Sequence, residues 1–153
     1  SGGKRHTPRV RRLLFDACKL EMARLLEALR TAPALVELEM LSVGGTKLTP
    51  DAVNSLKQLI ENGPRLNIIG ASACQLDALH CKALCAGIGS RNQAKPGSIE
   101  VDFSGNDIGA LGITHIVSML NTSECVGSLN IRDTKLPLDA LVPLFNGLAS
   151  SEC

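Results

Sequence analysis

Val10-Arg11-Arg12-Leu13-Leu14-Phe15-Asp16-Ala17-Cys18-Lys19-Leu20 sets apolar residues five and three places before Cys18 and another two places after it. Alternation of period two running into a polar or sulfur-bearing residue describes a short strand and its exit. With Cys18 as anchor, the same spacing recurs at Thr46, Cys74, Asn106 and Thr134, in steps of 28, 28, 32 and 28 residues. Five before the anchor stand Leu13, Leu41, Ile69, Val101 and Leu129; three before it, Phe15, Val43, Ala71, Phe103 and Ile131; two after it, Leu20, Leu48, Leu76, Ile108 and Leu136. Fifteen apolar residues in fifteen places, in a chain that is 44% apolar, is a repeat and not chance.

The second half of each unit shifts to a helical period. Seven after the anchor come Leu25, Val53, Cys81, Ile113 and Leu141; ten after it, Ala28, Leu56, Leu84, Ile116 and Leu144; fourteen after it, Ala32, Ile60, Ile88, Leu120 and Leu148. These offsets predict one apolar stripe per helix. Thr49-Pro50-Asp51 reads as a helix start, with Thr49 as N-cap, and Gly63-Pro64 as its stop. Ala17, Gly45, Ala73 and Gly105, each just before an anchor, are small enough for a tight turn out of the strand. The extra four residues fall in the polar breaker run 90–97, which lengthens one turn and keeps the frame. Pro143 falls inside the fifth stripe, so that helix either begins near Asp139, with the proline in its first turn, or is kinked there.

Each unit is therefore expected to be a strand followed by a helix. Five such units stack into a right-handed β-α solenoid of the α/β class, with a parallel sheet on the concave face and helices on the convex face. The 153 residues suffice for one domain with a sizeable core. The expected units are 10–37, 38–65, 66–97, 98–125 and 126–153; residues 1–9 hold a cloning remnant, Ser1-Gly2-Gly3, and the end of a preceding unit. Ser123-Glu124-Cys125 and Ser151-Glu152-Cys153 repeat one tripeptide 28 residues apart. Without a polar capping unit at either end, the expectation is a slice of a longer array whose open ends invite self-association.

Composition narrows the function classes. A net charge of +1 gives no field for nucleic acid or acidic lipid, and three Phe with no Trp or Tyr leave no stacking platform for single strands. No apolar run approaches the roughly 20 residues of a membrane helix. Six scattered cysteines without a signal peptide point to reduced thiols and a cytoplasmic location.

A 28-residue period with a full helix per unit resembles the ribonuclease-inhibitor-like class of leucine-rich repeats, over residues 10–153. That class is similar across ribonuclease inhibitors, activators of the GTPase Ran, tropomodulins, innate immune receptors and the CARMIL actin regulators. Gly45-Thr46-Lys47-Leu48-Thr49-Pro50 and Asp102-Phe103-Ser104-Gly105-Asn106 resemble stretches of CARMIL repeats. The resemblance implies binding proteins with no shared activity. CARMIL proteins grip actin capping protein outside their repeats, so no site residue is carried over.

Reactive chemistry is sparse. Cys81 and Cys85 share a helix face and could hold two corners of a zinc site, yet Cys81 occupies a core row, no second pair stands at zinc-like spacing, and the structural reading prevails. Cys18, Cys74 and Cys81 are expected buried and unpaired, Cys125 and Cys153 accessible. No base accompanies Cys18 or Cys74, and His115 is expected to face solvent. Glu100 and Asp102 lack an acid/base partner. Lys4, Arg5, Arg9, Arg11 and Arg12 read as a solvated basic face. No catalytic residue, metal or cofactor is expected.

What remains is the concave face. Its outward rows are Arg12, Met40, Ile68, Glu100 and Ser128; Leu14, Ser42, Gly70, Asp102 and Asn130; and Asp16, Gly44, Ser72, Ser104 and Arg132. The sequence thus reads as a non-enzymatic protein-interaction module of an intracellular scaffold or regulator, possessing a CARMIL-like link to actin. Its partner would be a protein, bound through Arg12, Leu14, Asp16, Met40, Ser42, Ile68, Ser72, Glu100, Asp102, Ser104, Asn130 and Arg132. The alternative is a GTPase-activating repeat protein, for which Lys19, Lys47, Lys135 and Arg132 at the strand exits would be the polar groups.

Overall fold

The computed structural model describes residue 3, residues 9–91 and residues 94–150. Strands and helices alternate: β1 (Arg12–Leu14), α1 (Met22–Thr31), β2 (Met40–Ser42), α2 (Pro50–Asn62), β3 (Ile68–Gly70), α3 (Ala78–Gly89), β4 (Ile99–Asp102), α4 (Gly109–Thr122), β5 (Val126–Asn130) and α5 (Leu138–Ser150). The strands form one parallel sheet in sequence order. Arg12 pairs with Met40, Met40 with Ile68, Ile68 with Glu100 and Glu100 with Ser128, which reproduces the steps of 28, 28, 32 and 28. The longer third step is taken up before β4 without slipping the register, so every apolar strand residue keeps its face. A bulge between β4 and β5 puts Gly127 against Gly97, where any Cβ would overlap the Gly97 carbonyl.

The turn out of each strand has one recurring conformation. The residues preceding the anchors, Ala17, Gly45, Ala73, Gly105 and Asp133, have φ of 54°, 71°, 50°, 68° and 52°. A left-handed conformation strains any residue with a Cβ, so Gly45 and Gly105 adopt it without that cost and Asp133 tolerates it better than most, while Ala17 and Ala73 bear it. The anchors then satisfy the backbone that the turn leaves open. Asn106 does most: its Oδ1 accepts from the N–H groups of Cys74 and Leu76 at 2.9 and 3.0 Å, and its Nδ2 donates to the carbonyls of Ala71, Phe103 and Ser104. Thr134 donates to the Ile131 carbonyl and Thr46 to that of Cys18, while the Cys74 thiol reaches the Val43 and Ser72 carbonyls.

Helices and strands share one core, in which Leu41, Leu56, Ile69, Leu84, Phe103 and Ile116 are buried. Thr49 caps α2 through the Ala52 N–H, Pro50 opens the helix and Gly63 ends it, as its sequence predicts. Asp77 and His80 form a capping box on α3.

Unit 1 departs from the expected stripe. Leu20 is 52% exposed and Ala28 is exposed, whereas Met22 and Leu26 are buried at 4% and 0%. Met22, Ala23, Leu26 and Leu29 take the roles that Ala52, Val53, Leu56 and Leu59 take in α2. The buried face of α1 therefore arrives two residues earlier after its anchor than that of α2. The helix then stops short at Thr31, Ala32 becomes its C-cap instead of a stripe residue, and a 3-10 helix, Pro33–Glu37, fills the remaining length. In unit 5, α5 starts at Leu138, which places Pro143 in its second turn, not its first. Leu148, expected in the stripe, is 51% exposed.

Candidate functional site

The register lines the expected rows across the sheet. Arg12, Met40, Ile68, Glu100 and Ser128 are consecutive partners, as are Leu14, Ser42, Gly70, Asp102 and Asn130. Alternation along each strand then commits these residues to the face opposite the core. Arg12, Leu14, Asp16, Glu100 and Arg132 are exposed; Met40, Ile68, Ser72, Asp102, Ser104 and Asn130 are half-buried. Ser42 is the exception, at 9% exposure.

The open face is stitched by short hydrogen bonds. Ser42 Oγ donates to Asp16 Oδ1 at 2.6 Å, and the Gly44 N–H donates to the same oxygen at 2.9 Å, so one carboxylate ties unit 1 to unit 2. Asp102 Oδ1 accepts from the N–H and Oγ of Ser104 at 2.9 and 2.6 Å. Asn130 Oδ1 accepts the Arg132 N–H at 3.2 Å. Gly44 and Gly70 leave no room for a side chain: a Cβ would stand 2.7 Å from Asp16 Oδ1 in the first and 2.6 Å from Ser42 Oγ in the second. The middle of the face thus carries small residues between two hydrogen-bonded carboxylates, with Leu14, Met40 and Ile68 as apolar contact area. No His or Cys belongs to these rows. The His80 ring nitrogen accepts the Asp77 N–H, which commits it to the helix cap.

Comparison with solved structures finds this architecture elsewhere. A structure described as leiomodin-1 actin-binding site 2 superposes with a TM-score of 0.64, at 12% identity, over 85% of this chain and 88% of that one. The tropomodulin C-terminal domain of Caenorhabditis elegans superposes with a TM-score of 0.65, at 14% identity, over 92% of this chain and 83% of that one. The likeness is one of fold. No family model matches the sequence, and no curated protein matches it. Among the described residues, no helix is long and apolar enough to cross a membrane.

The thiols follow expectation in part. Cys74 and Cys81 are buried and free. Burial pushes the Cys74 thiol up to about 11. Cys18 is half-buried instead of buried, because the unit 1 turn has no preceding unit packed on it among the described residues. Cys125 is buried at 4%, not accessible: its Sγ lies 2.8 Å from Ser123 Oγ and donates to the Ile88 carbonyl. Cys153, the second Ser-Glu-Cys tripeptide, Lys4, Arg5, Asn92 and Gln93 lie outside the described residues. His115 is half-buried in a groove between α3 and α4, not turned fully to solvent.

Two features escape a reading by apolar spacing. Glu37 with Arg65 and Asp107 with Lys135 form ion pairs of 2.8 and 2.9 Å whose members are 28 residues apart, charged rungs between neighbouring units. Opposite charges at the repeat period are the signal that would have found them. On α5, Leu138, Val142 and Phe145 are 79%, 61% and 63% exposed. At these places α2 has Pro50, Asn54 and Lys57, so the change to apolar was readable by aligning the helices.

Proposed function

We propose that the five units form a right-handed solenoid of the ribonuclease-inhibitor-like leucine-rich-repeat class and serve as a non-enzymatic protein-interaction module of the actin cytoskeleton, in the cytoplasm. The supporting observation is the shared fold with a domain described as an actin-binding site, over 85% of this chain. The CARMIL-like stretches around Thr46 and Asn106 point to the same system. The partner is a protein held on the concave rows, where Leu14, Met40 and Ile68 give apolar area and Glu100, Asp102 and Arg132 give charge. Catalysis has no part in this reading, since those rows offer no nucleophile with a base. The GTPase-activating alternative is not favoured: of the strand-exit lysines it would use, Lys135 is engaged by Asp107.

Co-sedimentation with filamentous actin, and a monomer-binding titration, test the proposal. Binding is expected, weakened about tenfold or more by Met40→Glu or Asp102→Arg and unchanged by Lys57→Glu on the helical side. Loss through Lys57→Glu alone would overturn the concave assignment, and no binding in either assay would overturn the link to actin.

A further inference from the structure

The side chains at the α3–α4 contact pose a question that core packing does not answer. Cys81 Sγ and Cys85 Sγ lie 3.9 Å apart, both buried. The other units place Leu25, Val53, Ile113 and Leu141 at the Cys81 position and Leu29, Lys57, Val117 and Phe145 at the Cys85 position, so the repeat itself asks for no thiol at either. Cys85 faces a groove of about 350 Å³ also lined by Lys82, His115 and Met119. Met119, from the facing helix, is 4% exposed and lines the same groove.

We infer that Cys81 and Cys85, with the Met119 thioether as a third donor, form a binding site for a soft, thiophilic monovalent cation of the copper(I) class. The spacing suits it. A metal–thiolate bond of about 2.3 Å at a trigonal or tetrahedral angle separates the two sulfurs by roughly 3.8–4.0 Å, so the thiols stand near the required distance before any ion arrives. The donor set decides between metals. Zinc in a closed site takes four His, Cys or carboxylate ligands, and among the described residues no three such groups lie together as a metal site. Thiolate and thioether sulfur select copper(I). On binding, each thiol gives its proton to solvent and forms a metal–sulfur bond, with no change of oxidation state. Two thiolates around a monovalent ion leave one net negative charge, and the Lys82 ammonium at the groove is placed to offset it. In the metal-free protein one thiol donates to the other, and that hydrogen bond together with burial keeps Cys85 protonated well above the ordinary thiol range. This site is independent of the concave face and of the proposed partner.

The whole chain, reduced and kept anaerobic, is titrated against a chromophoric copper(I) chelator. The expected result is one copper(I) withdrawn per chain with a new near-ultraviolet thiolate–copper band. Cys81→Val and Cys85→Ala should each weaken binding more than about a hundredfold and Met119→Leu about tenfold, while Cys18→Ser, which removes the half-buried thiol, leaves it intact. Circular dichroism shows whether the variants remain folded. If they do not, the wild-type protein decides: copper(I) must raise its melting temperature, and a rise with zinc but not copper(I) overturns the site. Equal competition by folded Cys81→Val protein, or loss of binding in Cys18→Ser, overturns it as well, and undiminished binding by Met119→Leu overturns the third ligand.

Discussion

Leu76 in the third unit and Leu20 in the first both stand two residues after their anchors, yet Leu76 is 1% exposed and Leu20 is 52% exposed. The contrast extends through both units. Leu84 and Ile88 of α3 are fully buried, while Ala28 of α1 faces solvent and its burial falls on Met22 and Leu26. A unit with neighbours on both sides must meet two surfaces, and only one helix phase does so. A unit with one described neighbour can rotate its helix and let a turn leucine out. Spacing therefore shows which residues can be core, and the neighbours decide which of them are.

The largest expected effect breaks or confirms this contrast directly. Phe103→Ala empties a site that is fully buried between flanking units and should cost about 3–5 kcal/mol. Leu20→Ala removes atoms already half in water and should cost less than about 1 kcal/mol. Urea unfolding of both variants measures it. Equal losses would mean that Leu20 is covered in solution and that the first unit packs like the third.

The anchors give the next step down. Asn106 makes five hydrogen bonds through a side chain that is 1% exposed, whereas Thr46 makes one long one, 3.4 Å, to the Cys18 carbonyl. Asn106→Ala strands buried N–H and C=O groups of two units and should cost about 3 kcal/mol; Thr46→Ala should cost about 1 kcal/mol or less. If the two match, the turn is held by its left-handed residues and not by the anchors.

The fold was legible because parallel strands and their exits repeat in a fixed frame: Leu41, Ile69 and Val101 announce the sheet, and Gly45 and Gly105 announce turns that prove left-handed. The outward rows of the sheet followed from alternation alone, down to the pairing of Glu100 with Ile68. What stayed hidden depends on contacts between units. Apolar spacing says nothing of how far Leu26 lies from Leu56, so it could not show the two-residue advance of α1. Nor could it show that Cys125 turns inward onto the Ile88 carbonyl, because an apolar-tolerant thiol at a unit junction reads alike in either place.

Thiol chemistry sharpens the same comparison through rates. Cys18 of unit 1 is half-buried, and Cys74 of unit 3 is buried with its pKa pushed up to about 11 from 9.0, mainly by desolvation. A maleimide or disulfide reagent at pH 8 should modify Cys18 well before Cys74, since only the exposed thiolate reacts. The sign for stability follows. The folded state favours the protonated Cys74, so its contribution is complete below about pH 9 and is lost as pH rises toward 11. A Cys74→Ala protein should show a shallower decline over that window. Peptide mapping after brief labelling gives the order of modification, and Cys74 reacting first would contradict the packing of the third unit.

Helix starts carry the smallest difference. Thr49 Oγ1 accepts the Ala52 N–H at 3.3 Å, with Pro50 at the first position and Asp51 in the first turn; Glu21 stands at the same place before α1 and makes no side-chain cap. A cap satisfies one of the four N–H groups that a helix start leaves without a partner, and its removal by alanine costs about 1 kcal/mol. Thr49→Ala should show that loss, and Thr49→Asp should recover it, because a carboxylate accepts the same N–H and also favours the positive end of the helix. Glu21→Ala should be nearly neutral, since it removes no cap and only the solvent-exposed ion pair with Arg24. Glu21→Asp should then stabilise unit 1, by supplying the shorter carboxylate that a cap requires. Were Glu21→Ala to cost as much as Thr49→Ala, the Glu21 side chain would have to cap α1 in solution as Thr49 caps α2, and the contrast between the two helix starts would fall.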